Sequence, residues 1–578
     1  MLVDAQFNRV RPGAMGDREV VAGGRRQNFL QIVRNLPEAV VSGEVELDDP
    51  AARWVVVDSD GRRTPVAVDI ARGERAFEVE IPSPEFKAIV ASLSAPQVLG
   101  RTVNAYRIVK ADAAAPEVEL SLSRAAITDI DLARFRDDIR NALPDTGVVR
   151  IKGSNAPRCA ISFMATGLQQ AGFSFYRLAK DGESSTELIA APADAIENEF
   201  YRLEPSARGV LIRELASGEA MELHFEDEGD RGDEYNYDPV AGGAIISKPV
   251  ETAVEAIENG VARKRMRLRL TFELPESIAD DRRSRSARLS QISVMLTATL
   301  YPGLARVDFI AEVDNRARDH RLRAALRTPV QTIETLSDTS FGFVRRSIAP
   351  SEPLGTEAIY PTAPHRSVTA IESEGLSAAL MSRGIYEIEA RRESDGTTLL
   401  LTLLRCVGWL SRSDLTMRNG GAGPEFESPG AQEQGTSRFE FAMTSYRGSY
   451  LEAGLAPRAA AYAFPPRTFV AREPAAAAAP TQLIGCDNPR VVFSTARPDR
   501  RARSYLVRLW TVSPDSERAR FTFGAGRTAR VLDLAGRAMK REGVRRRQGA
   551  LEMNLRPFEI VSFSVASEKK FVRIVKKH

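Results

Sequence analysis

In the stretch Lys264–Leu274, KRMRLRLTFEL, the side chains Met266, Leu268, Leu270, Phe272 and Leu274 fall on one face of an extended chain, and Arg267, Arg269, Thr271 and Glu273 fall on the other. Side chains of a strand point alternately to its two faces, so this run reads as a half-buried β-strand with its apolar side inward. The run Gln291–Leu300 repeats the pattern at Ile292, Val294, Leu296, Ala298 and Leu300. Tyr301-Pro-Gly303 then supplies a turn into RVDFIAEVDN (306–315), which makes the pair a hairpin. The alternation recurs at Phe439, Phe441 and Met443 and, less strictly, at Ile560, Phe563 and Val565. Helical spacing is confined to Asp129–Leu143, where Leu132, Phe135, Ile139 and Leu143 share a face and Asp129 offers an N-cap, and more weakly to Pro82–Leu93. The fold class is therefore mainly β, a set of β-sandwiches in several domains with few helices.

A chain of 578 residues exceeds the roughly 250–300 at which one core stops growing. The composition suggests a flexible lead-in over 1–25, a small β-domain with two short helices over 26–150, a large β-sandwich over 151–470 and a terminal β-sandwich over 481–578. Between the last two, 471–480 reads as a Pro/Ala linker, because the five alanines between Pro474 and Pro480 are too few to hold a helix in water. With 80 basic against 77 acidic residues, no nucleic-acid footprint is expected, and the arginine-rich runs Asp499–Arg503 and Val544–Gln548 read as solvated loops. There is no signal-peptide core and no run of about 18 apolar residues, so the expectation is a soluble, cytoplasmic chain without membrane contact. Three distant cysteines draw no disulfide framework and suit a reducing compartment.

The densest chemistry lies at Gly229–Pro239, GDRGDEYNYDP. Glu226, Asp227, Glu228, Asp230, Asp233, Glu234 and Asp238 fall within thirteen residues. Their repulsion has to be offset by a cation, by arginines or by a hydroxyl-rich ligand, and Tyr235 and Tyr237 suit either stacking on sugar faces or packing under the loop. The four histidines, His224, His320, His365 and His578, are far apart and near no cysteine, so a metal site made by this chain alone is not supported. His320, beside Asp319 and Arg321, reads as a hydrogen-bonded strand end, and His224 as a strand residue. Cys159 and Cys406 sit in apolar runs as inert thiols. No nucleophile motif is present, and the two carboxylates of a retaining glycosidase, about 5–5.5 Å apart in space, cannot be picked from sequence spacing. No catalytic residue is assigned.

Several separated segments, in order, carry a resemblance. AIENEFYRLE (195–204), the acidic stretch just quoted, DFIAEVDNRARDHRLR (308–323), LTLLRCVGWLSRSDL (401–415) with SPGAQ (428–432), YLVRLWTVSPDSERARFTF (505–523) and LRPFEIVSF (555–563) together resemble the C-terminal β-half of glycoside hydrolase family 38, the retaining α-mannosidases. The likeness runs from about Asn28 to Val565. It implies a small β-domain, a large mutarotase-like sandwich and a terminal β-sandwich. It also implies zinc-dependent cleavage of terminal α-mannosides, with nucleophile, acid and zinc ligands in an N-terminal catalytic domain whose motifs match nothing here. This chain would then need no cofactor of its own, the zinc belonging to that catalytic domain.

In the family, loops of the large sandwich approach the sugar cleft. The resemblance therefore points to Asp230, Asp233 and Tyr235 as acceptors for sugar hydroxyls, and to Arg405 and Arg412 as groups that orient carboxylates or a charged aglycone. The implied partners are an α-mannoside carbohydrate, a separately encoded catalytic domain and, open at this point, a second copy of the chain. The reading that follows is the β-rich part of an α-mannosidase-like hydrolase serving mannose or glycan metabolism. The alternative is a non-catalytic carbohydrate-binding or scaffolding β-sandwich protein.

Overall fold

The computed structural model describes residues 21–22, 27–33, 38–47, 50–70, 75–98, 101–109, 116–123, 130–155, 158–166, 168, 171–181, 194–349, 360–471, 481–499, 503–547 and 549–567. The expected lead-in and the Pro/Ala segment lie almost wholly outside these residues, as does Asp129.

The first sheet curls on itself. Its strands run in the order Val21–Ala22, Glu38–Leu47, Arg158–Thr166, Arg63–Ile70, Trp54–Val57, Gly172–Lys180, Gln27–Val33 and Arg467–Ala471. The last returns against Glu38–Leu47, where Thr468 Oγ1 donates to the Ser42 carbonyl at 2.9 Å. Between Arg63–Ile70 and Arg158–Thr166 the chain builds a separate five-stranded sheet under the helices Ser83–Ser92 and Leu132–Ala142. Phe86, Val90, Phe135 and Ile139 of those helices meet Val118, Leu120 and Ile151 of that sheet. The second helix starts at Leu132, with Asp131 capping Ala133 and Arg134. The parallel pairing of Val148–Asn155 with Glu117–Ser123 explains its position, because parallel neighbours need a crossover between them.

The large sandwich stacks an eight-stranded sheet on a nine-stranded one. The eight-stranded order is Ile196–Glu197, Tyr201–Pro205, Gly209–Glu214, Ala220–Gly229, His320–Thr328, Gly396–Cys406, Glu387–Glu393, Thr362–Pro364. The nine-stranded sheet centres on Lys264–Pro275, Leu289–Leu300, Val307–Asn315 and Gly435–Tyr446. The expected inward set of Lys264–Leu274 is buried in one core with Ile292, Val294, Leu296 and the Phe309–Phe441 stack, whose rings lie 5.4 Å apart. Leu300 pairs with Val307 across the expected Pro-Gly turn.

Further details differ from the sequence reading, among them Arg545–Arg547, read as part of a loop, which is an exposed strand paired with Ala550–Leu555. A third helix, Leu455–Ala463, follows Gly454; its proline, Pro457, sits in the first turn, where a missing N–H is tolerated. In Ile560–Ser567 the buried alternation is Val561, Phe563 and Val565, while Ile560 packs sideways with Val492 and Trp510. Two four-stranded sheets close the terminal sandwich around Phe521 and Phe563. The first sheet is tied to the large sandwich by Arg263, which forks onto Asp69 at 2.6 and 2.5 Å and also holds Glu258.

No helix among the described residues is long and apolar enough to cross a membrane. Phe441→Ala should leave a cavity where the two sheets meet and cost about 3–5 kcal/mol. Urea denaturation followed by circular dichroism should show the midpoint of the sandwich's transition falling accordingly.

Candidate functional site

Three neighbouring strands of the eight-stranded sheet deliver their ends to one edge. Gly229 pairs with His320, and His320 with Cys406. From this edge the acidic loop closes on itself through the Asp230–Pro239 bridge, and a long second loop, 407–434, folds over it. The Asp230 amide donates to the Asp319 carbonyl (2.9 Å), the Arg231 amide to the Asp238 carbonyl (2.8 Å) and the Glu234 amide to the Trp409 carbonyl (3.0 Å). Gly232 is required by close approach, since a Cβ there would lie 2.0 Å from the Asn236 carbonyl oxygen and 2.9 Å from Arg405 Nη2.

The three loop aspartates face inward. Asp230 Oδ1 accepts from the amides of Gly232 (2.8 Å) and Asp238 (3.2 Å), and its Oδ2 from Arg405 Nε (2.9 Å). Asp233 Oδ1 accepts from the amides of Tyr235 (3.0 Å) and Asn236 (2.9 Å), and its Oδ2 from the Arg412 amide (2.8 Å) and Arg418 Nη2 (2.6 Å). Asp238 accepts from the Thr416 and Met417 amides and the Thr416 hydroxyl, and pairs with Arg231 at 3.0 Å. All three residues are at most 1% exposed.

Burial pushes the Asp230 carboxyl above its ordinary value, with Arg405 and the two amides opposing. Burial would raise Asp233 as well, but Arg418 and the Asn236 and Arg412 amides outweigh it and hold it low. Asp414, hydrogen-bonded chiefly to Arg412, is pulled down to about 2. Of the five residues singled out by sequence, the side chains of Asp230, Asp233 and Arg405 thus share one internal network, which Arg412 joins through its backbone amide while its guanidinium forks onto Asp414. Arg405 also reaches the carbonyls of Asp233 and Glu234, and Arg412 lies 4.9 Å over the Trp409 ring. Tyr235 stands outside that network, 54% exposed against Gly423, with Phe426 of the second loop 62% exposed.

Two features lie beneath the loop: the hydrogen-bonded strand end at His320, which the sequence had indicated, and an arginine–glutamate cluster, which sequence reasoning passed over. His320, fully buried, bonds Asp227 through Nδ1 (2.5 Å) and Asn315 through Nε2 (3.1 Å). Asn315 in turn donates to the Gln432 carbonyl (3.3 Å), so the histidine locks the strand ends to the second loop. Alongside it, Arg321 and Arg323 bind Glu226, Glu228 and Glu389 on the outer face of the sheet, and the Arg321 guanidinium lies 3.8 Å over the Tyr237 ring. The sequence signal was the period-two placement of Arg321 and Arg323 between the core residues Leu322 and Ala324, facing Glu226 and Glu228 on the neighbouring strand. Each described histidine is committed elsewhere, His224 beside Glu226 and His365 to Thr369 and the Ile385 carbonyl. Among the described residues no group of three or more His, Cys, Asp or Glu could hold a metal ion.

Residues 196–411 match the glycosyl hydrolases family 38 C-terminal domain. A curated protein of Halalkalibacterium halodurans, described as "Putative mannosylglycerate hydrolase", is 25% identical across 58% of this chain and 38% of its own length. Two solved structures from Enterococcus faecalis, one described as a protein in glycosyl hydrolase family 38 and the other as an alpha-mannosidase, align with TM-scores of 0.64 and 0.63 at 16% and 17% identity. Both alignments cover 94% of this chain and, respectively, 58% and 56% of the solved chains. The chain thus carries the family 38 C-terminal domain, shares the fold of these structures and spans less than two thirds of each protein's length.

Burial disfavours the charged form of His320, but the Asp227 carboxylate overrides it and lifts the imidazole from 6.5 to about 10. A raised pKa in the folded state contributes stability that is complete below about pH 6.5 and is lost as the pH rises through about 10. Thermal midpoints recorded from pH 6 to 10.5 should fall across that window, and His320→Asn should lower the midpoint at pH 6 and flatten the decline. An unchanged slope in the variant would refute this assignment.

Proposed function

We propose that this chain is the β-sheet body of an α-mannosidase-type glycoside hydrolase and supports hydrolysis of terminal α-mannosides by a family 38 catalytic domain. That domain, in a longer polypeptide or as a separate chain, supplies the reacting carboxylates and the zinc. The observation that carries the reading is the loop pair at the sandwich edge, inside and just beyond the matched region. Its aspartates are consumed in holding its own backbone rigid, and Tyr235 and Phe426 remain on the outer surface, with the partly exposed Arg412 side chain paired to Asp414. A fixed base with an aromatic and cationic rim suits a wall that orients a sugar or its aglycone. On this reading Asp230, Asp233 and Arg405 are positioning residues, while Tyr235 and Arg412 meet the carbohydrate. The setting is mannose or glycan metabolism in the cytoplasm.

The exposed pair of Tyr235 and Phe426 also favours a second reading, a carbohydrate-binding body without catalysis, because aromatic faces bind sugars unaided. One experiment separates the two. Adding the chain to a family 38 catalytic domain should raise kcat/KM on an aryl α-mannoside about tenfold or more, the gain expected of improved positioning, and Tyr235→Ala with Arg412→Ala should remove most of it. No gain on mixing, together with saturable binding of mannose oligosaccharides by the chain alone, would replace the first reading with the second.

A further inference from the structure

The two sheets of the large sandwich part at one edge, where the hairpin Glu334–Thr339 and Gly342–Ser347 ends one sheet and Thr362–Pro364 ends the other. A cavity of about 470 Å³ lies there, with Thr335, Arg346, Tyr360, Thr362, Thr369 and Glu389 on its walls. Its volume is in the range of small-molecule sites, roughly 300–1,000 Å³.

Three of these groups hold bonding capacity that the protein does not use. Arg346 pairs with no carboxylate among the described residues, and its Nη1 is buried without a hydrogen-bond partner. Tyr360 Oη is likewise buried without a well-formed hydrogen bond, the Asn236 side chain of the acidic loop lying beside it. Glu389 Oε2 accepts from Arg323 Nη1 at 2.7 Å and lies 3.8 Å from Arg321, while its Oε1 accepts no hydrogen bond among the described residues. Native interiors pair their buried polar groups, so a wall with two buried donors short of partners, beside a carboxylate oxygen that no described side chain uses, suits an occupant that brings both kinds of group.

The balance of charge narrows the class. Glu389 shares Arg323 and Arg321 with Glu226 and Glu228, whereas Arg346 pairs with no carboxylate among the described residues. A guanidinium in that position matches a carboxylate with two parallel N–H···O bonds, a geometry that a neutral polyol cannot offer. We propose that this cavity binds a small sugar acid. Its carboxylate pairs with Arg346, one hydroxyl donates to Glu389 Oε1, and another accepts from Tyr360 Oη. The site rests on these observations and not on the role of the acidic loop, although Tyr360 packs edge-on against Tyr237 of that loop at 6.4 Å.

The test is calorimetric titration of the full chain with D-glucuronate and D-gluconate, with D-glucose as the neutral counterpart. At least one acid should bind saturably, and glucose about tenfold more weakly or worse. Arg346→Gln should weaken binding of the acid about tenfold. Tyr360→Phe, which removes a single oxygen, should weaken it several-fold without moving the thermal midpoint, so that loss of binding is not loss of fold. Failure of both acids to bind, equal affinity for glucose, or affinity unchanged in both variants would overturn the proposal. None of these results depends on α-mannoside cleavage, so the two readings fail separately.

Discussion

A buried carboxylate must find its donors inside the protein, and the loop edge of the large sandwich is organised around that requirement. Removing Asp230, Asp233 and Asp238 from water forfeits strong hydration, which only fixed N–H groups and cations can replace. Each therefore recruits backbone amides of its own loop or of 407–434, and most of the remaining capacity goes to Arg405, Arg418 and Arg231. Asp233 and Asp238 draw donors from both loops and so brace one against the other, while Asp230 ties its own loop to the strand that carries Arg405. Breaking such a pair from one side costs about 3–5 kcal/mol, whereas exchanging the whole for apolar side chains is often neutral. Stability alone does not account for the network; it fixes one backbone geometry at the sheet edge.

The architecture was legible because period-two alternation survives wherever one face of a strand is buried. Met266 to Leu274 and Ile292 to Leu300 needed nothing but their spacing, and both sets lie in one core. The helix Leu455–Ala463 was not legible, since a left-handed Gly454 and an early proline look like a break until tertiary packing places Leu455, Ala459 and Tyr462 against the sandwich. The phase of Ile560–Ser567 was misread for a related reason: Ile560 has a second apolar neighbour at Trp510, off the main core.

Within the candidate site, composition announced the loop but not the direction of its side chains. Seven acidic groups in thirteen residues demanded compensation, and arginine pairing was one of the solutions open. What the sequence could not supply is that Arg405 and Arg418 lie more than 170 residues away in the chain, brought near by the pairing of His320–Thr328 with Gly396–Cys406. His320 was read as a hydrogen-bonded strand end. Its partner, Asp227, lies 93 residues earlier, on the adjoining strand.

The same logic separates rigid from available groups. Where donors and acceptors balance, as in Asp233 with its four donors, the side chain has nothing left for a ligand and acts only through geometry. Where they do not balance, as at Arg346, Tyr360 and Glu389, the surplus is chemical recognition held in place by the surrounding sheet. Tyr235 and Phe426 are a third case, apolar faces left in water beside a braced backbone, whose cost of exposure is recovered only by something that covers them. A wall of this kind needs no catalytic group of its own, because a rigid surface placed beside a reacting sugar acts by restricting where that sugar can sit.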